Sequence, residues 1–143
     1  MSYDDFLKSK RLDFKHTGIA VKDADIHPLL FSFQRDLVKW SAQKGRAAIF
    51  ADCGLGKTFM QLEWARLVGG RVMIVAPLSV ARQTVREATR VETHVHYTRS
   101  GGDLIDGINI TNYEMIEHFN PADFRAVVLD ESSILKSLTG KTR

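Results

Sequence analysis

The residues best suited to do chemistry lie in one short stretch, Ala51-Asp52-Cys53-Gly54-Leu55-Gly56-Lys57-Thr58. Gly54 and Gly56 allow left-handed backbone and a close approach of the main chain to a ligand. Successive N–H groups in such a turn form a nest for an anion, and a helix beginning at Lys57 would aim its positive end at the same place. Lys57 adds a mobile point charge for outer phosphates, and Thr58 offers a hydroxyl to a divalent cation. The stretch follows the pattern G-x-x-x-x-G-K-[ST], with Ala51 in the place of the first glycine. Alanine serves there only if that position needs no positive φ. Cys53 reads as a small loop residue, because no His-Asp relay stands near it to activate a thiol.

A second group is Val127-Val128-Leu129-Asp130-Glu131-Ser132-Ser133. An apolar run closing on two acids places carboxylates at the carboxyl end of a strand, where open α/β sheets bind ligands. In partnership with the glycine loop, Asp130 is the candidate to hold Mg²⁺ through water, and Glu131 to orient or deprotonate an attacking water.

These groups need elements to position them. Ala47-Ala48-Ile49-Phe50 reads as a buried strand feeding the loop, and Lys57 to about Val68 as the helix leaving it, stopped by Gly69-Gly70. Before them, Phe33, Leu37, Trp40 and Lys44 share a helical stripe that Gly45 closes. Ser2 can cap a short helix over residues 2–11, and residues 12–28 read as a connector. Arg71–Ala76, Thr93–Tyr97, Ile108–Thr111 and Ala126–Asp130 are further candidate strands. A helix is expected over Ser79–Arg90 with Ser79 as N-cap, and a short one over Tyr113–His118. The alternation predicts an α/β fold with a parallel sheet and helices on both faces. Trp40 and Trp64 are expected to be packing residues on the helices that flank that sheet.

The chain has 143 residues, 44% hydrophobic and 26% charged, as an ordinary globular domain does. The single cysteine permits no internal disulfide, there is no apolar run of membrane-spanning length, and the first residues lack a signal-peptide core. These features predict a cytoplasmic protein without a membrane partner. A net charge of +3 permits a polyanionic partner without requiring one. Arg82, Arg86 and Arg90 recur at helical spacing and could neutralise phosphates, although such a stripe is also what a solvated helix face looks like. His94 and His96 alternate on a strand with no cysteine or acid cluster to complete a metal site.

Taken together, the chain resembles the first RecA-like lobe of superfamily-two helicases, closest in texture to the DEAD/DEAH-like and Swi/Snf-like proteins of phages and bacteria. The resemblance covers about residues 28–143, with 1–27 as an N-terminal extension. Ala51–Thr58 resembles motif I, and Asp130–Ser133 stands where that family has its DEAD or DEAH box, departing from it at Ser132 and Ser133. Phe33-Gln34-Arg35 resembles the Q-type motif, which implies that Gln34 reads an adenine edge. Val75–Ser79 resembles motif Ia, and Ile110–Glu114 the next backbone-contacting motif. The resemblance implies a P-loop NTPase fold that takes ATP and Mg²⁺. Gly54, Leu55, Gly56, Lys57 and Thr58 would surround the phosphates, Thr58 and Asp130 would hold the metal, and Lys57 and Glu131 would be catalytic. Pro77, Leu78, Arg82, Thr111 and Asn112 would meet a nucleic acid, DNA favoured over RNA.

Motif III and a second RecA-like lobe, with its arginine, are not found before Arg143. The expectation is therefore a partial lobe that works with a second one in cis or in trans, in the cytoplasm of the cell or of a phage host. The alternative is a nucleotide-binding or interaction module without efficient turnover.

Overall fold

A short apolar run, Val72–Ala76, forms an interior strand of a parallel sheet, and every residue in it is buried. The computed structural model describes residues 2–10, 16–52 and 54–130. Within them α1 (Tyr3–Lys10), α2 (Ser32–Lys44) and α3 (Lys57–Val68) precede this strand, β1. It is followed by α4 (Leu78–Ala88), β2 (Val95–Tyr97), β3 (Ile108–Asn112) and β4 (Ala126–Leu129). The four strands run in the order β2-β3-β1-β4, all parallel, with Ala76 opposite Asn112 and Val75 opposite Leu129. The carboxyl ends of β1, β3 and β4 therefore lie along one edge of the sheet. The fold is α/β, with helices flanking a parallel sheet.

Both faces of the sheet are covered, but unequally. On one, Val72, Ile74, Ile108, Ile110 and Val95 pack with Val38 and Ala42 of α2, Met60, Leu62 and Ala65 of α3, and Ala81 and Ala88 of α4. On the other, Met73 and Val75 meet Tyr113, Ile116, Phe119 and Phe124 from a chain of 3₁₀ turns. This second layer does not cover β4, whose Val127 and Leu129 remain about half exposed. Val21, Ile26 and Leu30 join the larger core, so the connector before α2 is packed into the same body. Its backbone also closes α2. Gly18 N–H donates to Gln43 O at 3.1 Å and Ile19 N–H to Ala42 O at 2.9 Å, satisfying carbonyls that a helix end leaves unpaired.

Most sequence-derived elements are present. Ser2 caps α1, its Oγ accepting from Asp5 N–H at 3.2 Å. Gly45 ends α2 at φ 85°, and Gly69 ends α3 at φ 71°. Tyr113–His118 is helical but of the 3₁₀ kind.

Two expectations are corrected. Ala47–Phe50 forms no regular element and pairs with no strand among the described residues, and Phe50 is 96% exposed. A strand exists only through its ladder. The four paired strands use β1 and β3 as the interior, and no backbone hydrogen bond joins 47–50 to another segment among the described residues. Ser79 does not cap α4. Pro77 holds that position, and its fixed φ of −55° suits the entry to a helix that begins at Leu78. Trp64 packs against the core as expected, whereas Trp40 is partly exposed beneath Lys44 Nζ, 6.0 Å from its ring centre.

Candidate functional site

The glycine loop has the backbone its sequence predicts. Gly54 and Gly56 take φ values of 82° and 73°, and Gly56 is the left-handed N-cap of α3. A Cβ on Gly54 would meet nothing within 4 Å, so the loop is open on that side. Lys57 and Thr58 occupy the first turn of α3 and are partly buried. Four backbone N–H groups at a helix start have no intrahelical acceptor, so this turn presents donors and a positive dipole end together with the lysine charge. Neither the Lys57 ammonium nor the Thr58 hydroxyl has a hydrogen bond or ion pair among the described residues. Cys53 lies outside the described residues.

Gln34 is fastened to this loop. It is buried at 5% exposure, its Nε2 donates to Leu55 O at 2.9 Å, and its Oε1 accepts from Phe31 N–H at 2.9 Å. A Cβ on Gly56 would lie 2.2 Å from that Nε2. The amide thus ties the start of α2 to the loop. One N–H and one lone pair of its full complement take no partner among the described residues.

Asp130 is anchored three ways at the carboxyl end of β4. Its N–H donates to Val75 O at 2.8 Å, its carbonyl accepts from Tyr113 Oη at 2.5 Å, and its Oδ1 accepts from Gln61 Nε2 at 3.0 Å. Gln61 belongs to α3, one turn past Lys57 and Thr58 and on their side of the helix. The loop helix and the acidic strand are therefore joined by a side-chain bond on the face that carries Lys57 and Thr58. Glu131, with Ser132, Ser133 and residues 136–143, lies outside the described residues.

Thr58 and Asp130 carry oxygen donors, the type a hard divalent cation takes. Mg²⁺ prefers oxygen ligands and keeps several waters, needing only one or two protein oxygens. Thr58 Oγ1 and the Asp130 Oδ2, which accepts no bond among the described residues, are such oxygens. A dedicated protein cage is not what these residues make, and the described residues contain no cluster of three or more His, Cys, Asp or Glu.

The residues expected to meet nucleic acid do not form one exposed surface. Leu78, Arg82 and Arg86 are exposed on α4, with Pro77 partly buried at its start. Arg90 lies beyond the end of α4, its guanidinium 5.3 Å from the Phe59 ring centre. Thr111 and Asn112 are buried. Asn112 is engaged on both ends, accepting from Tyr97 Oη at 2.7 Å and donating to Glu114 Oε2 at 2.6 Å. That donation holds the Glu114 carboxyl below its ordinary range. His96 faces Asp103, Nε2 to Oδ2 at 3.1 Å, and His94 is exposed.

Sequence reasoning missed Gln61, Tyr113 and Glu63. The first was legible as the residue one turn after Lys57 and Thr58. Glu63 is fully buried, its Oε1 accepting from the Arg66 guanidinium and from His27 N–H at 3.3 Å. Arg66 also donates to Asp25 O at 2.5 Å, so this pair clamps the connector to α3. No protein-family model matches the chain, and no curated protein matches it in sequence.

Proposed function

We propose that this chain is an ATP-binding motor lobe of the RecA-like, P-loop kind, acting on nucleic acid together with a second lobe. The observation that carries the reading is the junction of two chemistries on one face of α3. The positive-φ glycine loop opens into Lys57 and Thr58, and Gln61 of the same helix holds Asp130. In this reading the loop N–H groups and Lys57 bind the β- and γ-phosphates, and Thr58 and Asp130 hold Mg²⁺. The metal, when bound, spreads the charge that develops on the transferred phosphoryl group. Gln34, with its remaining hydrogen-bonding capacity, reads the adenine, and Glu131 handles the attacking water. Exposed Arg82 and Arg86 on α4, with Leu78, are the side chains available for a phosphate backbone.

The test is a nucleic-acid-stimulated ATPase assay on the chain combined with a second RecA-like lobe. Stimulation that disappears in Lys57→Ala and in Asp130→Asn is expected. Equal turnover with and without nucleic acid, unaffected by either substitution, rules the reading out.

A further inference from the structure

Asp130 sits where the proposed metal chemistry needs a carboxylate, but its position at the end of an edge strand does not by itself fix the carboxylate's orientation. The backbone of Asp130 is held by Val75 and Tyr113, and neither bond reaches its side chain. The Gln61 amide does reach it, with Nε2 at 3.0 Å from Oδ1. Gln61 is three residues after Thr58 and four after Lys57, so the three side chains lie along one side of α3. A side chain on a helix leans toward the N-terminus, here toward the glycine loop. A donor to an ionised carboxylate is also a stronger partner than one to a neutral acceptor.

We propose that Gln61 is a positioning residue for the divalent cation. It engages one oxygen of Asp130 and so directs the other toward the Thr58 side of the loop. This rests on the reading of the site as one for ATP and magnesium, and it adds a residue that neither the glycine loop nor the acidic strand contains. The Gln61 amide touches neither phosphate nor metal; it restricts the rotation of the carboxylate that does. Loss of the amide donor leaves the phosphate nest and Lys57 as they are and loosens only the metal ligand.

The experiment separates metal from nucleotide. The full chain is titrated with Mg²⁺ in the presence of a fluorescent ATP analogue, and nucleotide binding is measured separately in excess EDTA. Gln61→Met keeps the length of the side chain and removes its donor. It is expected to move the Mg²⁺ midpoint up by roughly 10-fold or more, the scale typical for loss of a group that orients a metal ligand. Metal-free nucleotide affinity should be unchanged. Gln61→Asn retains an amide on a shorter stem and should show a shift of the same sign, so the result does not hang on one variant folding. In an Asp130→Asn background, Gln61→Met should add nothing to the midpoint. A merely structural role for Gln61 would lower binding equally with and without metal. Absence of nucleotide binding by the unsubstituted chain overturns the reading of the site and this inference together. Magnesium-dependent binding whose midpoint is the same in the two Gln61 variants overturns the inference alone.

Discussion

The two loop glycines make different demands, and the difference can be measured. At Gly54 the backbone is left-handed at φ 82°, but the space around a new Cβ is empty. Gly54→Ala should therefore carry only the conformational penalty of an L-residue in that region, about 1 kcal/mol. At Gly56 the backbone is also left-handed, φ 73°, and a Cβ would stand 2.2 Å from Gln34 Nε2. The amide must move, which breaks its bond to Leu55 O. Adding about 1 kcal/mol for that lost bond to the conformational penalty puts Gly56→Ala at about 2 kcal/mol. The collision requires Gln34, so in a Gln34→Ala background the cost of Gly56→Ala should fall by about 1 kcal/mol, a coupling of the size expected for touching residues. Urea unfolding followed by tryptophan fluorescence and circular dichroism gives all four values of the cycle. Equal costs at the two glycines, or a Gly56→Ala cost that does not change when Gln34 is removed, would refute the close approach of Gln34 to the loop.

Other expectations concern the rest of the scaffold. Arg66→Ala strips the buried Glu63 carboxyl of its side-chain donor and should destabilise by about 1–3 kcal/mol in a denaturant melt, the cost of leaving a buried polar group unsatisfied. Glu63→Gln keeps an acceptor for His27 N–H and should cost less; the reverse order would contradict the clamp. Glu114, with its carboxyl lowered by Asn112, binds its proton more weakly in the folded chain than in the unfolded one. Its contribution to stability is therefore present above the ordinary carboxylate range and is lost as pH falls through the lowered value. Glu114→Gln should flatten this acid limb in thermal melts taken from neutral to acidic pH, and an unchanged limb would show the bond to be without consequence. Arg90→Ala removes the cation over Phe59 and should cost about 0.5–1 kcal/mol, the range for an exposed pair; a neutral substitution would place that guanidinium in solvent instead.

Sequence patterns carried the local features well because local chemistry decides them. Gly45 and Gly69 stop their helices through positive φ, and Ser2 caps α1, each a matter of a few neighbouring residues. β1 was legible as an apolar run because a strand interior to a parallel sheet is buried on both faces. Ala47–Phe50 has the same texture, yet becoming a strand depends on a neighbour for its ladder, and composition carries no information about that neighbour. The site divides in the same way. Gly54, Gly56, Lys57, Thr58 and Asp130 announce themselves by spacing and type. The bonds that tie them together, Gln34 to Leu55 and Gln61 to Asp130, join residues far apart in the chain and come from tertiary packing. Thr111 and Asn112 show the converse. Polar residues ending a strand suggest a ligand, but register with β1 places them inside, where Asn112 serves Tyr97 and Glu114.

The central claim is that the loop from Asp52 to Thr58 receives the phosphates of a nucleotide. Two-dimensional amide NMR of the ¹⁵N-labelled chain, titrated with ATP and Mg²⁺, reads each loop N–H directly. The account predicts the largest shifts at Gly54, Gly56, Lys57 and Thr58. It predicts none at Gly69 and Gly70, which share the positive φ but end α3 instead of starting it. Those loop shifts should be lost in Lys57→Ala. A titration that leaves the Gly54–Thr58 amides in place, or moves Gly69 and Gly70 as much, contradicts it.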